Sequence, residues 1–432
     1  MDSKAIREKH KQFLFPAVAN YYKSPLVLEK GEGMYVTDAD GVRYLDFFGG
    51  ILTVSVGHCH PEVNRRVKAQ IDTLGHTSTL YQNAPIVELA ETLAGLAPGK
   101  LSQTFFTGSG TEADETAVAL AQVHTGNQEL IALRHGYSGR SMLAMSLTAH
   151  SNYRAVPTQI AAIKHAHNPY CYRCPFKLTY PKCDVACARD IEELIRTTTT
   201  GRIAGILIEP IQGVGGFVVA PKEYIQVAVD IVHKAGGLFI CDEVQTGFGR
   251  TGGRMWGIEH WGVEPDIMTM AKGIANGMPI AATMTRPEIA ASYKVGTIST
   301  YGGNAISSTA ASATIAVILE HKLVENSRLR GDELRAGLEG LKKKYPKTIG
   351  DVRGMGLMQA LELVKDETAQ DRTPNPEATL ALFEATRERG LIIGKGGLYG
   401  NTIRIAPPLT VDATQVQDAV KVLDQSLGAI GA

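Results

Sequence analysis

Between about Val63 and Thr269, short apolar runs alternate with stretches of helical character, and this alternation constrains the fold most strongly. The runs are Gln103–Phe106, Leu130–Leu133, Ile203–Ile208, Leu238–Cys241 and Ile267–Met270. A strand with one wet face alternates apolar and polar residues, whereas a strand covered on both faces stays apolar throughout. The pattern therefore predicts an α/β domain whose central sheet is mostly parallel, with helices on both sides.

The flanks have a different character. Met34 to Phe47 reads as a hairpin turning at Asp40-Gly41. A long helix is predicted over Ala305–Glu320, and a second, amphipathic one over Glu325–Lys344. The basic run Lys342-Lys343-Lys344 closes that second helix, where it complements the helix dipole. Val352–Leu363 and Leu391–Ile405 read as strands of a smaller α+β domain, with Lys365–Glu377 a solvated loop within it. The first ~50 residues are too few to form a core alone and are expected to pack on this C-terminal part. The division follows as residues 1–55 and 321–432 for a small domain built from both termini, and 56–320 for the large one.

Lysine plus arginine number 44, as do aspartate plus glutamate, so no basic field exists to attract nucleic acid or an anionic membrane. No apolar run reaches membrane-spanning length. The opening Met1-Asp2-Ser3-Lys4 lacks an apolar signal segment, and six cysteines in 432 residues do not make a secreted disulfide scaffold. A cytoplasmic protein is the expectation.

Ligands of open parallel sheets bind beyond the carboxyl ends of the strands. Four distinctive segments fall there. Leu238–Cys241 runs into Asp242, and Ile267–Met270 is followed by Lys272, thirty residues on from Asp242. Ile203–Ile208 ends in Glu209-Pro210-Ile211-Gln212-Gly213, and Gln103–Phe106 in Thr107-Gly108-Ser109-Gly110-Thr111 at a helix start. An amine and an acid so placed suit pyridoxal phosphate, which needs a lysine for its aldehyde carbon and an acid for its ring nitrogen. Glycines, hydroxyls and a helix N-terminus form a phosphate cradle. Gly247-Phe248-Gly249-Arg250-Thr251-Gly252 fits G-x-G-x-x-G and raises a competing nicotinamide reading, but it does not open a helix directly after its strand. An ion pair of Asp242 with Arg250 is the plain structural alternative.

Asp242-Glu243-Val244-Gln245-Thr246-Gly247-Phe248-Gly249-Arg250-Thr251-Gly252 followed by Lys272 resembles the class III aminotransferases. So do Gly57-His58-Cys59-His60-Pro61, Glu209-Pro210-Ile211-Gln212-Gly213, Thr300-Tyr301-Gly302-Gly303-Asn304 and Arg404-Ile405-Ala406-Pro407-Pro408, in order along nearly the whole chain. Within that family the chain is most similar to the second, mitochondrial-type alanine–glyoxylate branch. The resemblance implies fold type I and a homodimer, or dimer of dimers, with active sites at the subunit interface. It implies transfer of an amino group from alanine or a β/γ-amino acid to glyoxylate, pyruvate or a similar 2-oxo acid. Lys272 would bind the cofactor covalently and carry the proton, Asp242 would hold the ring nitrogen, and Tyr137 would stack on the ring. Ser109, Gly110 and Thr111 would hold the phosphate with Thr300 of the neighbouring subunit, and Gln245 would contact the ring oxygen. Arg404 would grip the substrate carboxylate and pair with Glu209 when no carboxylate is there. Ser138, where histidine is common in the family, and Ala305, where proline is usual, bear on substrate identity. A lyase, decarboxylase or racemase on the same cofactor is the alternative reaction.

Cys171-x2-Cys174 and Cys183-x3-Cys187 have spacing that suits tetrahedral zinc on four thiolates, with free surface thiols as the alternative. Cys59 and Cys241 read as small core residues.

Overall fold

The structure is a computed structural model that describes residues 2–157 and 160–432. Its centre is a seven-stranded sheet in the order Gln103–Thr107, Ala281–Thr285, Ile267–Met270, Leu238–Asp242, Gly205–Ile208, Leu130–Leu133, Ile163–Ala166. The five strands from Ile267–Met270 to Ile163–Ala166 are parallel, and the three at its centre are buried along their whole length. Continuous Ile, Leu, Phe and Met are what burial on both faces requires. Ala281–Thr285 pairs antiparallel with both neighbours, so Gln103–Thr107 runs in the direction of the parallel set.

Ala281–Thr285 and Ile163–Ala166 were not among the expected strands. In the first, Ala281-Ala282-Thr283 is small and weakly apolar; its place is set by packing, with Thr283 donating to the carbonyl of Ala113 at 2.7 Å. Helix Gly110–Thr125 lies across the sheet there, against Ala281–Thr285, Ile267–Met270 and Leu238–Asp242.

One of the remaining sheets joins the two ends of the chain. Leu28–Glu32, Tyr35–Asp38 and Arg43–Asp46 form a meander, and Arg43–Asp46 pairs in parallel with Leu391–Ile392. The hairpin turn falls at Asp40-Gly41, where Gly41 takes φ +84° and Asp38 accepts from the N–H groups of Asp40 and Val42. Tyr22 stacks on Phe383 of the C-terminal part. Ile349–Met355, Met358–Asp366, Thr402–Ile405 and Gly394–Gly396 build a second antiparallel sheet.

Three expectations need correction here. Val352–Leu363 is not one strand but parts of two, folded back at Gly356 (φ +50°), where the left-handed turn favours glycine. Leu391–Ile405 is likewise three short strands. Lys365–Glu377 is not a plain loop, because Asp371–Pro374 pairs with Met358–Asp366. The helix Ala305–Glu320 has the expected bounds, and Leu323–Lys344 ends on the three lysines. No helix among the described residues is long and apolar enough to cross a membrane.

Candidate active site

The carboxyl ends of the parallel strands open on one cavity of about 290 Å³. Ser109, Gly110, Thr111, Tyr137, Asp242 and Lys272 all line it. At one end, helix Gly110–Thr125 begins: Ser109 caps it by accepting from Glu112 N–H, and Glu112 in turn accepts from Gly108 N–H at 2.6 Å. The Gly110 and Thr111 N–H groups precede the first helical acceptor and have no partner among the described residues. Gly139 sits opposite with φ +138°, and a Cβ there would overlap the Thr111 side chain. Unpaired donors, a helix dipole and a backbone that must stay bare together form an anion cradle.

Asp242 is 4% exposed at the end of the central strand. Burial pushes it up to about 6, against the Val244 N–H that it accepts at 2.9 Å and the charge of Lys272. Lys272 follows Ile267–Met270 with a left-handed φ of +44°, an uncommon backbone state for a lysine and one that cavity-side residues often carry. Burial lowers its amine below the usual range, while Asp242, Glu209 and Asp114 resist that shift. A lysine partly freed of its proton is a better nucleophile and proton acceptor. Tyr137 lines the cavity with its ring 5.2 Å from that of Tyr153, and it donates its N–H to Glu209 at 3.1 Å.

Gln245 lies just outside this lining, packed against Gly213, with its buried Oε1 unpartnered. Thr300 is exposed and lies away from the cavity of its own chain. Arg404 is buried behind the site, donating to Lys395 O at 3.0 Å and Gly213 O at 3.3 Å, with Phe48 5.0 Å from its guanidinium carbon. Its Nη2 makes no bond among the described residues and is the group left for a carboxylate.

The expected Glu209–Arg404 pair is absent among the described residues. Glu209 spends both oxygens on backbone donors, Tyr137 N–H and Gly213 N–H, the latter at 2.8 Å. The two side chains meet the same residue, Gly213, one at its N–H and the other at its carbonyl. Burial, then Asp242, push Glu209 up to about 8.

Two other readings fail on geometry. The Gly247–Gly252 segment packs against the helix Leu323–Lys344, with Gly249 on Val324 and Gly252 on Arg328, so these glycines serve close packing and not a dinucleotide. Arg250 does not pair with Asp242; it donates to the carbonyls of Leu357 and Pro407. Cys171, Cys174, Cys183 and Cys187 do line one small cavity. Among the described residues, however, no three His, Cys, Asp or Glu side chains are arranged to hold a metal, so zinc is not supported. Spacing alone misleads here because protein contacts fix the segment: Tyr170 and Arg173 bind Glu362, and Tyr172 binds Glu367. Burial pushes Cys187 up to about 12, which keeps it a thiol at neutral pH. Cys241 is buried as expected, but Cys59 is exposed, with φ +52°.

Sequence reasoning missed Asp114, Thr53 and the 277–280 segment, which also line the cavity. Asp114 was findable: four residues after Gly110, it shares that residue's helix face.

Pyridoxal phosphate fits this donor set: two free N–H groups for the phosphate, a buried acid at the cavity floor, an amine and an aromatic wall. The orphaned Gln245 Oε1 matches a hydroxyl donor. Residues 17–427 match the family Aminotransferase class-III. The chain is 44% identical to alanine–glyoxylate aminotransferase 2 homolog 2, mitochondrial, of Arabidopsis thaliana, covering 98% of this chain and 87% of that one. It is 39% identical to the mitochondrial alanine–glyoxylate aminotransferase 2 of Homo sapiens, covering 98% and 86%. An amine transaminase from an uncultivated Pseudomonas species, solved in its PLP-bound form, superposes with TM-score 0.90 at 31% identity, covering 97% and 99%. The chain belongs to the class III aminotransferases, with their α/β fold and their amino-transfer chemistry.

Proposed function

We propose that the chain moves an amino group from alanine, or a β- or γ-amino acid, to glyoxylate, pyruvate or a similar 2-oxo acid. The observation that carries this reading is the convergence of Lys272, Asp242 and the Ser109–Thr111 cradle on one cavity. The relatives named for alanine and glyoxylate support the choice of substrates.

When bound, pyridoxal phosphate supplies an electron sink that makes the Cα proton of an amino acid acidic. Lys272 would hold the cofactor, and its lowered amine suits it to take up a Cα proton and return it. Asp242 as a carboxylate would keep the ring nitrogen protonated. Tyr137 would cover a ring face, and the Gly110 and Thr111 N–H groups would bind the phosphate. Gln245 Oε1 would accept from the ring hydroxyl. Arg404 presents Nη2 to the substrate carboxylate, and the carbonyls on Nε and Nη1 fix its direction. Glu209 holds the Tyr137 and Gly213 backbones that flank the substrate.

A homodimer with shared active sites belongs to the same reading. Leu80, Tyr81, Val295, Ile298 and Tyr301 are exposed apolar residues on two loops joined by Thr79 and Ser299. Thr300 lies among them, which supports a role in the partner's phosphate site.

The test is a matrix of donors (alanine, β-alanine, 4-aminobutyrate) against acceptors (glyoxylate, pyruvate, 2-oxoglutarate), read as the new amino acid formed. Product with alanine and glyoxylate is expected. Turnover that releases ammonia without an aminated acceptor would replace transfer with elimination.

A further inference from the structure

Asp114 is a buried carboxyl that the amino-transfer chemistry leaves without a part. It is 1% exposed on the first full turn of helix Gly110–Thr125 and lines the same cavity as Asp242 and Lys272. Its Oδ1 accepts from the Thr269 hydroxyl at 2.8 Å, and Thr269 is the cross-strand register partner of Asp242. Its Oδ2 carries no hydrogen bond among the described residues. Two buried carboxyls thus line one cavity, joined through Thr269.

They cannot both be ionised there at low cost. Three carboxyls, Asp114, Asp242 and Glu209, face the single amine of Lys272. Asp114 is the one of the three with no N–H donor. Glu209 has two backbone N–H groups and Asp242 has one together with the charge of Lys272, while Asp114 has only a hydroxyl that rotates freely. Burial first, and then Asp242, push the Asp114 carboxyl well above the usual aspartate range.

We propose that Asp114 is a positioning residue, a neutral carboxylic acid that donates from Oδ2 toward Asp242 and leaves Asp242 the one carboxylate offered to the cofactor's ring nitrogen. A neutral donor steadies the Asp242 anion without adding charge beneath a protonated ring. An ionised neighbour would instead favour protonation of Asp242 itself and weaken its hold on the ring. The inference rests on pyridoxal phosphate as the cofactor.

The test compares holoenzyme of the wild type, Asp114→Leu and Asp114→Asn. The first readout is the infrared carbonyl band of a protonated carboxyl at neutral pH. Glu209 also contributes there, so the wild-type minus Asp114→Asn difference is the quantity read. The second readout is the pH titration of the bound cofactor's visible absorption. A positive infrared difference is expected. Asp114→Leu is expected to move the acid limb of the titration upward by about one pH unit, the scale of one hydrogen bond to a charge. Asp114→Asn, a neutral donor of the same shape, is expected to recover most of that shift. No infrared difference, an unmoved limb in Asp114→Leu, or an Asn variant that behaves as Leu would overturn the proposal. The infrared arm stands even where Asp114→Leu does not fold. A wild type that takes up no cofactor would instead overturn the cofactor reading.

Discussion

Asp242 and Lys272 show how residue chemistry is set by place. Burial holds Asp242 at about 6, so between about pH 4 and 6 the native chain keeps a proton that the unfolded chain has released. Stability of the cofactor-free protein therefore falls as pH rises through that window. Asp242→Asn keeps the acceptor for Val244 N–H, so it should remove this share of the slope and leave the share of Glu243, which burial raises to about 7. The same variant should lower turnover by about a hundredfold or more, the scale of losing an acid–base partner. Melting points across pH, together with kcat, check both; a slope unchanged in the variant contradicts the assignment. Lys272 and Asp242 were legible in the sequence because each follows an apolar run, and topology alone then brings strand ends together. Asp114 was legible only through its spacing from Gly110, since a carboxylate within a helix usually signals a solvated face. The backbone partners that Glu209 and Arg404 take here were not legible, because no sequence pattern displays them.

At the scale of elements, the strand-to-helix junction at Ser109 and the turn at Gly139 shape the anion cradle together. Gly139→Ala forces a Cβ into Thr111 at a backbone angle that favours glycine, so the loop or the helix N-terminus must move. Cofactor affinity should fall at least about tenfold, a loss of 1.4 kcal/mol or more, with little change in far-UV circular dichroism. Unchanged affinity would mean that Thr111 does not shape the cradle. The parallel core was readable from its continuous Ile and Leu runs. Ala281–Thr285 was not, because its small residues owe their conformation to the helix above them. The second sheet was only half legible: apolar content marked it as strand, but the reversal at Gly356 rests on one left-handed residue. The cysteine segment is the same lesson in reverse. Its spacing suggested a metal, while its tyrosines and Arg173, bound to Glu362 and Glu367, fix its conformation.

The whole molecule ties its ends together, since Arg43–Asp46 pairs with Leu391–Ile392 and Arg404 reaches the large sheet's ligand edge through Gly213. Substrate grip and cofactor floor thus come from different parts of the chain, and their alignment depends on that packing. In the proposed homodimer, the exposed loops around Leu80 and Tyr301 would extend the dependence to a second copy. Ile298→Asp combined with Tyr301→Asp should convert the proposed dimer to monomer in light scattering and lower cofactor retention at least about tenfold, because a buried unpaired charge opposes association. A dimer that persists, or a monomer that binds cofactor as well as wild type, would remove Thr300 from the site.

The account's central claim is that the cavity built on Lys272 and Asp242 transfers nitrogen between substrates. Its most direct test follows nitrogen-labelled alanine incubated with glyoxylate and the cofactor-loaded protein. The label should appear in glycine in step with pyruvate formed, and Lys272→Ala should abolish the transfer. Label released as ammonia, label retained in alanine of inverted configuration, or full activity in Lys272→Ala would contradict the account.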